Sequence, residues 1–316
     1  MTDSNDGAVP SKPFQPRCLV IDLEVGKKNG RLQQIGALRA DGDERLHWRG
    51  GESGAGLDQL DALADGAAFV LGHNIIGFDL PQLASLRPGL QLLGLPAVDT
   101  LRLNPLAFPR NPYHHLVKHY QDGPLASGYR NNPLKDAELA LSLFRDQQDA
   151  LHALNAEAPR RLAAWHWLTT QDDTVSGMNR FFMTLRDSPR PSRAEARTAI
   201  LACLDGQSCQ TQRDEVLTDA ENDGWPLAYA LAWLSVAGGN SVMPPWVRHQ
   251  FPQAGEIVRR LRDTACTDPS CAWCREHHDA NKALQHWFGF SDFRPKPADA
   301  EGRPLQQDIV EAAMAG

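Results

Sequence analysis

Four carboxylate side chains stand at the ends of regular elements in the amino-terminal half of the sequence. Asp22 and Glu24 close an apolar run that begins at Arg17, and Asp79 and Asp136 each open a run with helical spacing. Strand side chains alternate between two faces, so Asp22 and Glu24 point the same way. Carboxylates this close repel one another unless a cation lies between them. The four could hold two divalent cations, Mg²⁺ or Mn²⁺, of the kind that activates water in phosphodiester hydrolysis.

The elements that must position these carboxylates are typical of an α/β sheet. Short apolar or alternating runs predict strands, whereas leucines that recur every three or four residues predict helices. Strands come first and then alternate with helices, which is the order of α/β folds. Beyond residue 155 the periodicity is helical. The predicted strands are 17–24, 34–38, 44–48, 67–72 and 95–99, and the helices of this half are 57–64, 79–86 and 136–151.

Composition narrows the class of protein. The 316 residues carry a net charge of −7, which argues against a protein that coats nucleic acid but is compatible with a local basic groove. Residues 1–16 are polar and predict a disordered lead-in rather than a signal peptide. The longest apolar stretch, 225–236, is too short to span a bilayer. We therefore expect a soluble cytoplasmic protein without membrane contact.

A group of thiols predicts a second kind of metal site. Cys266, Cys271 and Cys274 lie within nine residues, and two histidines follow directly. Thiolates at this spacing are typical of structural Zn²⁺. Our preferred fourth ligand is His278, and His277 is the alternative.

The same thiols allow a different metal group. A Cys-x-x-Cys pair within a run of three cysteines could hold an iron–sulfur cluster, for which Cys203 or Cys209 would supply the missing thiolate. Clustered thiols without any metal would oxidise readily, so bare cysteines are the least favoured interpretation. Zinc is favoured over iron–sulfur.

Taken in order, the acidic motifs resemble those of the DEDD (DnaQ-like) 3′–5′ exonucleases. The resemblance extends over residues 17–147 and depends on the whole set of motifs rather than on any one. Asp22-Leu-Glu24 is similar to the first motif, Gln34-Ile-Gly-Ala37 to the strand after it, His73-Asn74 with Phe78-Asp79 to the second motif, Asp99-Thr-Leu101 to the segment that follows, and Asn132–Ala137 stands where the third motif is expected.

The resemblance implies an RNase H-like fold, a mixed five-stranded sheet with flanking helices, here followed by an α-helical region with a small Cys/His metal site. It also implies that Asp22, Glu24, Asp79 and Asp136 bind the two metal ions and carry catalysis.

Side chains near the acids are expected to contact substrate. Asn74 would place an amide beside the metals, and Phe78 would offer a face on which a terminal base stacks; core packing is the other interpretation of Phe78. Scattered basic residues could line a phosphate groove. These residues are Arg110, Lys118, Arg130 and Lys135.

The position of the general base departs from the family pattern. These exonucleases place a histidine five residues, or a tyrosine four residues, before the last aspartate, where this sequence has Asn131 and Asn132. An amide does not accept a proton at neutral pH. We expect Asn131, Asn132 and His115 to contact substrate instead. Candidates for a substitute base are Tyr129, His114, His115 and His119.

The last segment, residues 289–316, resembles the stretch that precedes the ATP-binding loop of RecQ-like DNA helicases. The aromatic–arginine run Trp287–Arg294 and Gln306 are similar to adenine-contacting residues of that family, although residues 296–304 separate them here. No Gly-Lys-Ser/Thr phosphate loop follows in this sequence. The chain thus resembles the amino-terminal portion of a bacterial exonuclease–RecQ-like helicase fusion, truncated before the helicase core.

The expected function is metal-dependent 3′–5′ hydrolysis of single-stranded DNA ends, with a RecQ-like helicase core as partner in cis or in trans. RNA is a second possible substrate because the sequence offers no evident reader of the 2′-hydroxyl. The alternative is a nucleic-acid-binding or regulatory module that retains the exonuclease fold. The predicted organisation is a lead-in (1–16), an exonuclease domain (17–155), a helical domain (156–265), a Cys/His segment (266–288) and a helicase start (289–316).

Overall fold

A five-stranded mixed sheet organises the first part of the chain and confirms the predicted α/β class. The structure is a computed structural model that describes residues 17–26, 30–111, 132–171, 177–220, 224–236, 243–268 and 270–278. β1, β2 and β3 pair antiparallel, whereas β4 and β5 continue the sheet parallel to β1. The strands are β1 (Cys18–Val25), β2 (Leu32–Arg39), β3 (Arg45–Arg49), β4 (Phe69–Gly72) and β5 (Ala97–Asp99), in the order β3-β2-β1-β4-β5.

One face of the sheet is covered by α1 (Ser53–Leu63) and α2 (Asp79–Leu86). Alternation along β1 sends every second side chain to this face, and each buried leucine or isoleucine contributes about 1.5–3 kcal/mol. The polar side chains of β1 are consequently left on the opposite face. The buried core between the sheet and these helices includes Leu19, Ile21, Ile35, Leu57, Leu60 and Leu83.

The opposite face is covered by the long helix α4 (Pro133–Glu157), which follows α3 (Thr100–Ala107). Phe144 of α4 meets Phe69 of β4 edge to face, with ring centroids 6.3 Å apart. Such aromatic pairs are worth about 0.5–1.5 kcal/mol beyond the area that they bury. Helix α4 thus packs on β1, β2 and β4, on the face of the sheet to which Asp22 and Glu24 of β1 belong.

Helix α4 begins earlier than the hydrophobic spacing indicated. Asn132 is its N-cap, and the Asn132 side chain accepts a hydrogen bond from the backbone N–H of Lys135 at 3.4 Å. Pro133 occupies the first helical position, where its fixed φ suits a helix and its missing N–H costs nothing. Asp136 consequently lies within the first turns of α4 rather than at its first residue.

The chain divides into two compact units, and the division lies farther along the chain than residue 155. Apart from residues 110–112, the first unit ends at Ala196 and the second begins at Arg197. Phe181 packs against Phe144 at 5.5 Å, which ties α6 to α4 and explains why the predicted boundary falls inside the first unit. The remaining helices are α5 (Pro159–Leu168), α6 (Gly177–Arg186), α7 (Arg193–Cys203), α8 (Gln210–Asp219), α9 (Gly224–Leu234), α10 (Pro245–Gln250), α11 (Pro252–Asp263) and α12 (Ala272–His277).

A buried histidine joins α5 to α6 in the first unit. His166 Nε2 lies 2.8 Å from Asn179 Oδ1, and its Nδ1 lies 2.8 Å from the Arg186 guanidinium. A guanidinium only donates, so Nδ1 accepts and Nε2–H donates. Burial, assisted by the positive charge of Arg186, lowers the pKa of His166 to about 4. The imidazole is therefore neutral at pH 7, and its two hydrogen bonds connect α5 to α6.

Within the described residues, no helix is both long enough and apolar enough to cross a membrane. The predicted lead-in (1–16) and the helicase-like segment (289–316) lie outside those residues, as does the part of the Cys/His segment beyond His278.

Candidate metal centres

Three of the four predicted carboxylates meet at one point in the first unit. Asp22 and Glu24 lie on β1, and Asp136 lies in the first turns of α4. One carboxylate oxygen of each lies within 4.8 Å of those of the other two. We call these three residues the acid cluster. A set of carboxylate oxygens this close suits a hard divalent cation such as Mg²⁺ or Mn²⁺.

Asp79, the fourth predicted carboxylate, lies beside the acid cluster. Its Oδ1 accepts a hydrogen bond from the backbone N–H of Leu23 at 2.9 Å, and Leu23 separates Asp22 from Glu24 on β1. Burial, with the charge of Asp22 as the next cause, raises the pKa of Asp79 well above its usual value. A cation at the acid cluster would offset this repulsion and favour the ionised carboxylate.

A glycine on β2 allows Asp136 to approach β1. Gly36 is the direct cross-strand partner of Asp22. A Cβ atom at position 36 would lie 2.0 Å from the backbone carbon of Pro133 and 2.1 Å from the backbone nitrogen of Leu134. No side chain can be accommodated there, so the bare backbone of β2 is what lets the start of α4 pack against the sheet.

Alanine in place of Gly36 should weaken Mn²⁺ binding at the acid cluster at least about tenfold, the effect of losing about 1.4 kcal/mol of ligand interaction. The added Cβ meets backbone rather than a movable side chain, so the start of α4 must shift and carry Asp136 with it. Isothermal titration with Mn²⁺ measures the change, and circular dichroism checks that the variant remains folded.

Gly89→Ala is the matched control because a Cβ at position 89 meets nothing within 4 Å. Wild-type Mn²⁺ affinity in Gly36→Ala would show that the approach of α4 to β2 does not position Asp136.

A buried aspartate, Asp99, holds the loop that leads to Asp79. The sequence motifs did not predict this structural role. Asp99 accepts hydrogen bonds from the backbone N–H groups of Asn74 (2.9 Å), Ile76 (3.1 Å) and Leu101 (2.9 Å). Asn74 has φ 64°, a left-handed conformation that asparagine tolerates better than most residues. Burial raises the pKa of Asp99, and the hydrogen bonds oppose that shift. The Asp99 carboxylate thus fixes the conformation of the loop that leads to Asp79.

The structure describes some of the residues expected to contact substrate or to line a phosphate groove. Phe78 is 38% exposed directly before α2, and Asn74 lies on the loop held by Asp99. Asn132 caps α4, so its side-chain oxygen already accepts a hydrogen bond. Lys135 forms an ion pair with Glu138 at 2.7 Å, and Arg110 is exposed. The other predicted contact and groove residues and all the candidate substitute bases lie outside the described part of the chain. They are His114, His115, Lys118, His119, Tyr129, Arg130 and Asn131.

The second unit contains a group of four thiols. Cys209, Cys266, Cys271 and Cys274 place their sulfur atoms within 4.8 Å of one another. We call these residues the cysteine cluster. Cys209, one of the two thiolates that the sequence offered for an iron–sulfur cluster, supplies the fourth sulfur of this group, and His278, the expected fourth zinc ligand, is not among its members.

Local hydrogen bonds bring the distant Cys209 to the other three cysteines. Cys209 caps α8, and its backbone N–H donates to Gln212 Oε1 at 3.4 Å. The Gln212 side-chain amide in turn donates to the backbone oxygens of Arg260 (2.9 Å) and Thr264 (2.6 Å). Gln212 therefore fastens α8 to the end of α11, just before Cys266.

The three later cysteines are placed by a turn and a short helix. The Asp268 side chain accepts from the backbone N–H of Ser270 at 2.8 Å, and Cys271 is the residue before α12. The backbone N–H of Cys266 donates to Cys274 Sγ at 3.3 Å. Donation from backbone N–H groups favours a thiolate. This hydrogen bond partly opposes the burial of the Cys274 sulfur, which favours the neutral thiol.

The thiols differ in how their surroundings affect ionisation. Burial raises the pKa of Cys274 to about 12 and also raises that of Cys209. The backbone N–H of Cys274 lowers the pKa of Cys271. A bound cation deprotonates its thiol ligands, so metal binding here would release protons.

Comparison with protein families, with curated proteins and with solved structures finds no match to this chain.

Proposed function

We propose that this chain is a metal-dependent 3′–5′ exonuclease of the DEDD (DnaQ-like) type that hydrolyses phosphodiester bonds at single-stranded DNA ends. The observation that carries the proposal is the convergence of Asp22, Glu24 and Asp136 within 4.8 Å. These residues are far apart in the sequence, and they belong to the motifs that resemble that family. Asp79, hydrogen-bonded to Leu23 between the two β1 acids, completes the expected set of four.

The sheet supports an RNase H-like (DnaQ-like) fold for the first unit. Three antiparallel strands are extended on one side by two parallel strands, with the acids at the end of the central strand β1. Two Mg²⁺ or Mn²⁺ ions would be held by the acid cluster and Asp79. When bound, they would supply an activated water and stabilise the leaving oxygen. Asp22, Glu24, Asp79 and Asp136 would hold these ions, and exposed Phe78 would offer a stacking face for the terminal base.

A catalytically impaired nucleic-acid-binding or regulatory module is the second candidate. Asn132 supports it, because an amide that caps α4 stands where one class of the family has a tyrosine base. A general base typically contributes about 10²–10⁴-fold, so metal-activated water alone would still leave slow turnover. A RecQ-like helicase as partner is a further part of the proposal and depends on the sequence resemblance. RNA is kept as a second substrate because the sequence offers no evident reader of the 2′-hydroxyl.

A labelled single-stranded oligonucleotide tests the proposal. With Mg²⁺ or Mn²⁺ it should shorten stepwise from its 3′ end, and a chelator or a blocked 3′ terminus should stop the reaction. Retention of the oligonucleotide by the protein in chelator, with no shortening under either metal, would select the binding module instead.

For the cysteine cluster we propose one structural Zn²⁺ ion. Zn–S bonds of about 2.3 Å in a tetrahedron place the sulfurs about 3.8 Å apart. The four sulfurs lie within 4.8 Å of one another, which fits ligands that share one ion. An iron–sulfur cluster fits less well, because its thiolates bind different irons and stand farther apart.

A further inference from the structure

The edge strand β3 carries three basic side chains on one face. Arg45, His47 and Arg49 alternate with Leu46 and Trp48 along the strand. The three basic residues are exposed, whereas Leu46 is buried and Trp48 packs against the apolar core on the other face. We call Arg45, His47 and Arg49 the basic strip.

The register of the sheet places the basic strip on the same face as the acid cluster. Asp22 pairs with Gly36, and Gly36 pairs with His47. In the next row, Glu24 pairs with Gln34, and Gln34 pairs with Arg49. Residues directly opposite one another in antiparallel strands share a face, and two strand spacings amount to about 10 Å.

Carboxylates do not neutralise the basic strip within the described part of the chain. The Nε of Arg49 donates to His47 Nε2 at 2.8 Å, and no described carboxylate pairs with Arg49. Arg39 and Arg87 of the same unit, by contrast, pair with Asp41 and Asp58. Arg45 uses one guanidinium nitrogen to hold its own turn, donating to the backbone oxygen of Glu44 at 3.0 Å.

The sign of the charge distinguishes the basic strip from an ordinary protected edge. Charged side chains of either sign keep edge strands from pairing with other sheets. The chain has 39 acidic residues against 32 lysines and arginines, yet the three outward positions on this face of β3 hold two arginines and a histidine and no carboxylate. A guanidinium next to an imidazole that accepts its hydrogen bond is a good receptor for a phosphate oxygen.

We infer that the basic strip binds the phosphates of the single polynucleotide strand whose 3′ end lies at the acid cluster. This inference rests on the proposed function. The start of α4 covers Gly36 in the first row, so the strand would leave the site along the second row, from Glu24 past Gln34 to Arg49. Binding there is electrostatic and independent of base identity, because the strip offers only phosphate-type contacts.

Fluorescence anisotropy with a labelled single-stranded oligonucleotide in chelator tests the inference without cleavage. The double variant His47→Gln with Arg49→Gln should bind at least about tenfold more weakly at low salt, because removing one charge-assisted hydrogen bond weakens binding several-fold to tenfold. The slope of log affinity against log salt should decrease by about 0.7 for each phosphate that the variant no longer neutralises. A dinucleotide is too short to reach the strip, so its binding should not change.

Arg160→Gln is the matched control. Arg160 is exposed on α5 at the far end of α4, a helix of 25 residues that is therefore about 37 Å long. The inference is overturned if wild type and the double variant bind the oligonucleotide equally, or if Arg160→Gln loses as much affinity as the double variant. It is also overturned if the basic strip binds an acidic peptide more tightly than the oligonucleotide.

The two proposals fail differently. If wild type shortens the oligonucleotide but the double variant binds it normally, the basic strip is wrong and the exonuclease stands. If wild type never shortens the oligonucleotide but the double variant binds it more weakly, the surface stands and the activity is wrong.

Discussion

Asparagine in place of Asp136 should reduce metal-dependent shortening of a single-stranded oligonucleotide by at least about 10³-fold, which corresponds to about 4 kcal/mol of transition-state stabilisation. The amide keeps the shape of the side chain, so the packing of α4 against Gly36 is preserved. The variant removes one negative charge from the acid cluster, whose ligand atoms lie within 4.8 Å of one another. Single-turnover rates with saturating Mn²⁺ measure the effect on the chemical step.

Asp146→Asn is the matched control, since Asp146 is exposed on the same helix and makes the same change of charge. Its rate should equal that of wild type. If Asp136→Asn also shortens the oligonucleotide at the wild-type rate, cleavage does not depend on the acid cluster and the proposed function is wrong.

Strand alternation was enough to predict which acids of β1 share a face. Asp22 and Glu24 lie two residues apart, and a strand of that length admits only one arrangement of their side chains. The sequence could not show that α4 approaches them, because that contact depends on backbone clearance at Gly36. A glycine inside a buried strand is nevertheless a recognisable sign of close backbone approach.

Long-range convergence and helix packing account for what sequence reasoning missed. The sequence offered Cys209 only as the missing thiolate of an iron–sulfur cluster and did not place it in the zinc site, because it lies far from Cys266 in the chain and the hydrogen bonds of Gln212 that join them cross between two helices. Asp99 looked like part of a motif, yet its carboxylate serves the loop at Asn74 on another element. The compact units divide after Ala196 rather than near residue 155. Helical periodicity is the same on both sides of residue 155, and packing of the aromatic side chains decides which unit holds α5 and α6.

Serine in place of Cys274 should abolish zinc binding and unfold the region around the cysteine cluster. Structural zinc contributes about 10–16 kcal/mol to folding in small zinc domains, which is as large as the whole stability of an ordinary domain. The cysteine cluster joins the start of α8 to the segment after α11, so its disruption frees both ends. Elemental analysis should find about one zinc per chain in wild type and almost none in the variant.

The tertiary signal to follow is the near-ultraviolet circular dichroism of tryptophan. Trp273 precedes Cys274 and stacks on His277 with ring centroids 4.1 Å apart. That signal should collapse in Cys274→Ser and in wild type treated with a strong chelator. The acid cluster belongs to the other unit, so Mn²⁺ titration of the same variant should still detect its binding.

Cys203→Ser provides the comparison within the same unit, because Cys203 is a cysteine outside the cluster. It should retain both the zinc and the tryptophan signal. If elemental analysis finds iron and inorganic sulfide in the purified wild type, the cysteine cluster holds an iron–sulfur cluster and the assignment of zinc is wrong. Full zinc occupancy in Cys274→Ser would contradict the assignment of that sulfur as a ligand, since three remaining thiolates and an uncharged serine cannot hold the ion as tightly.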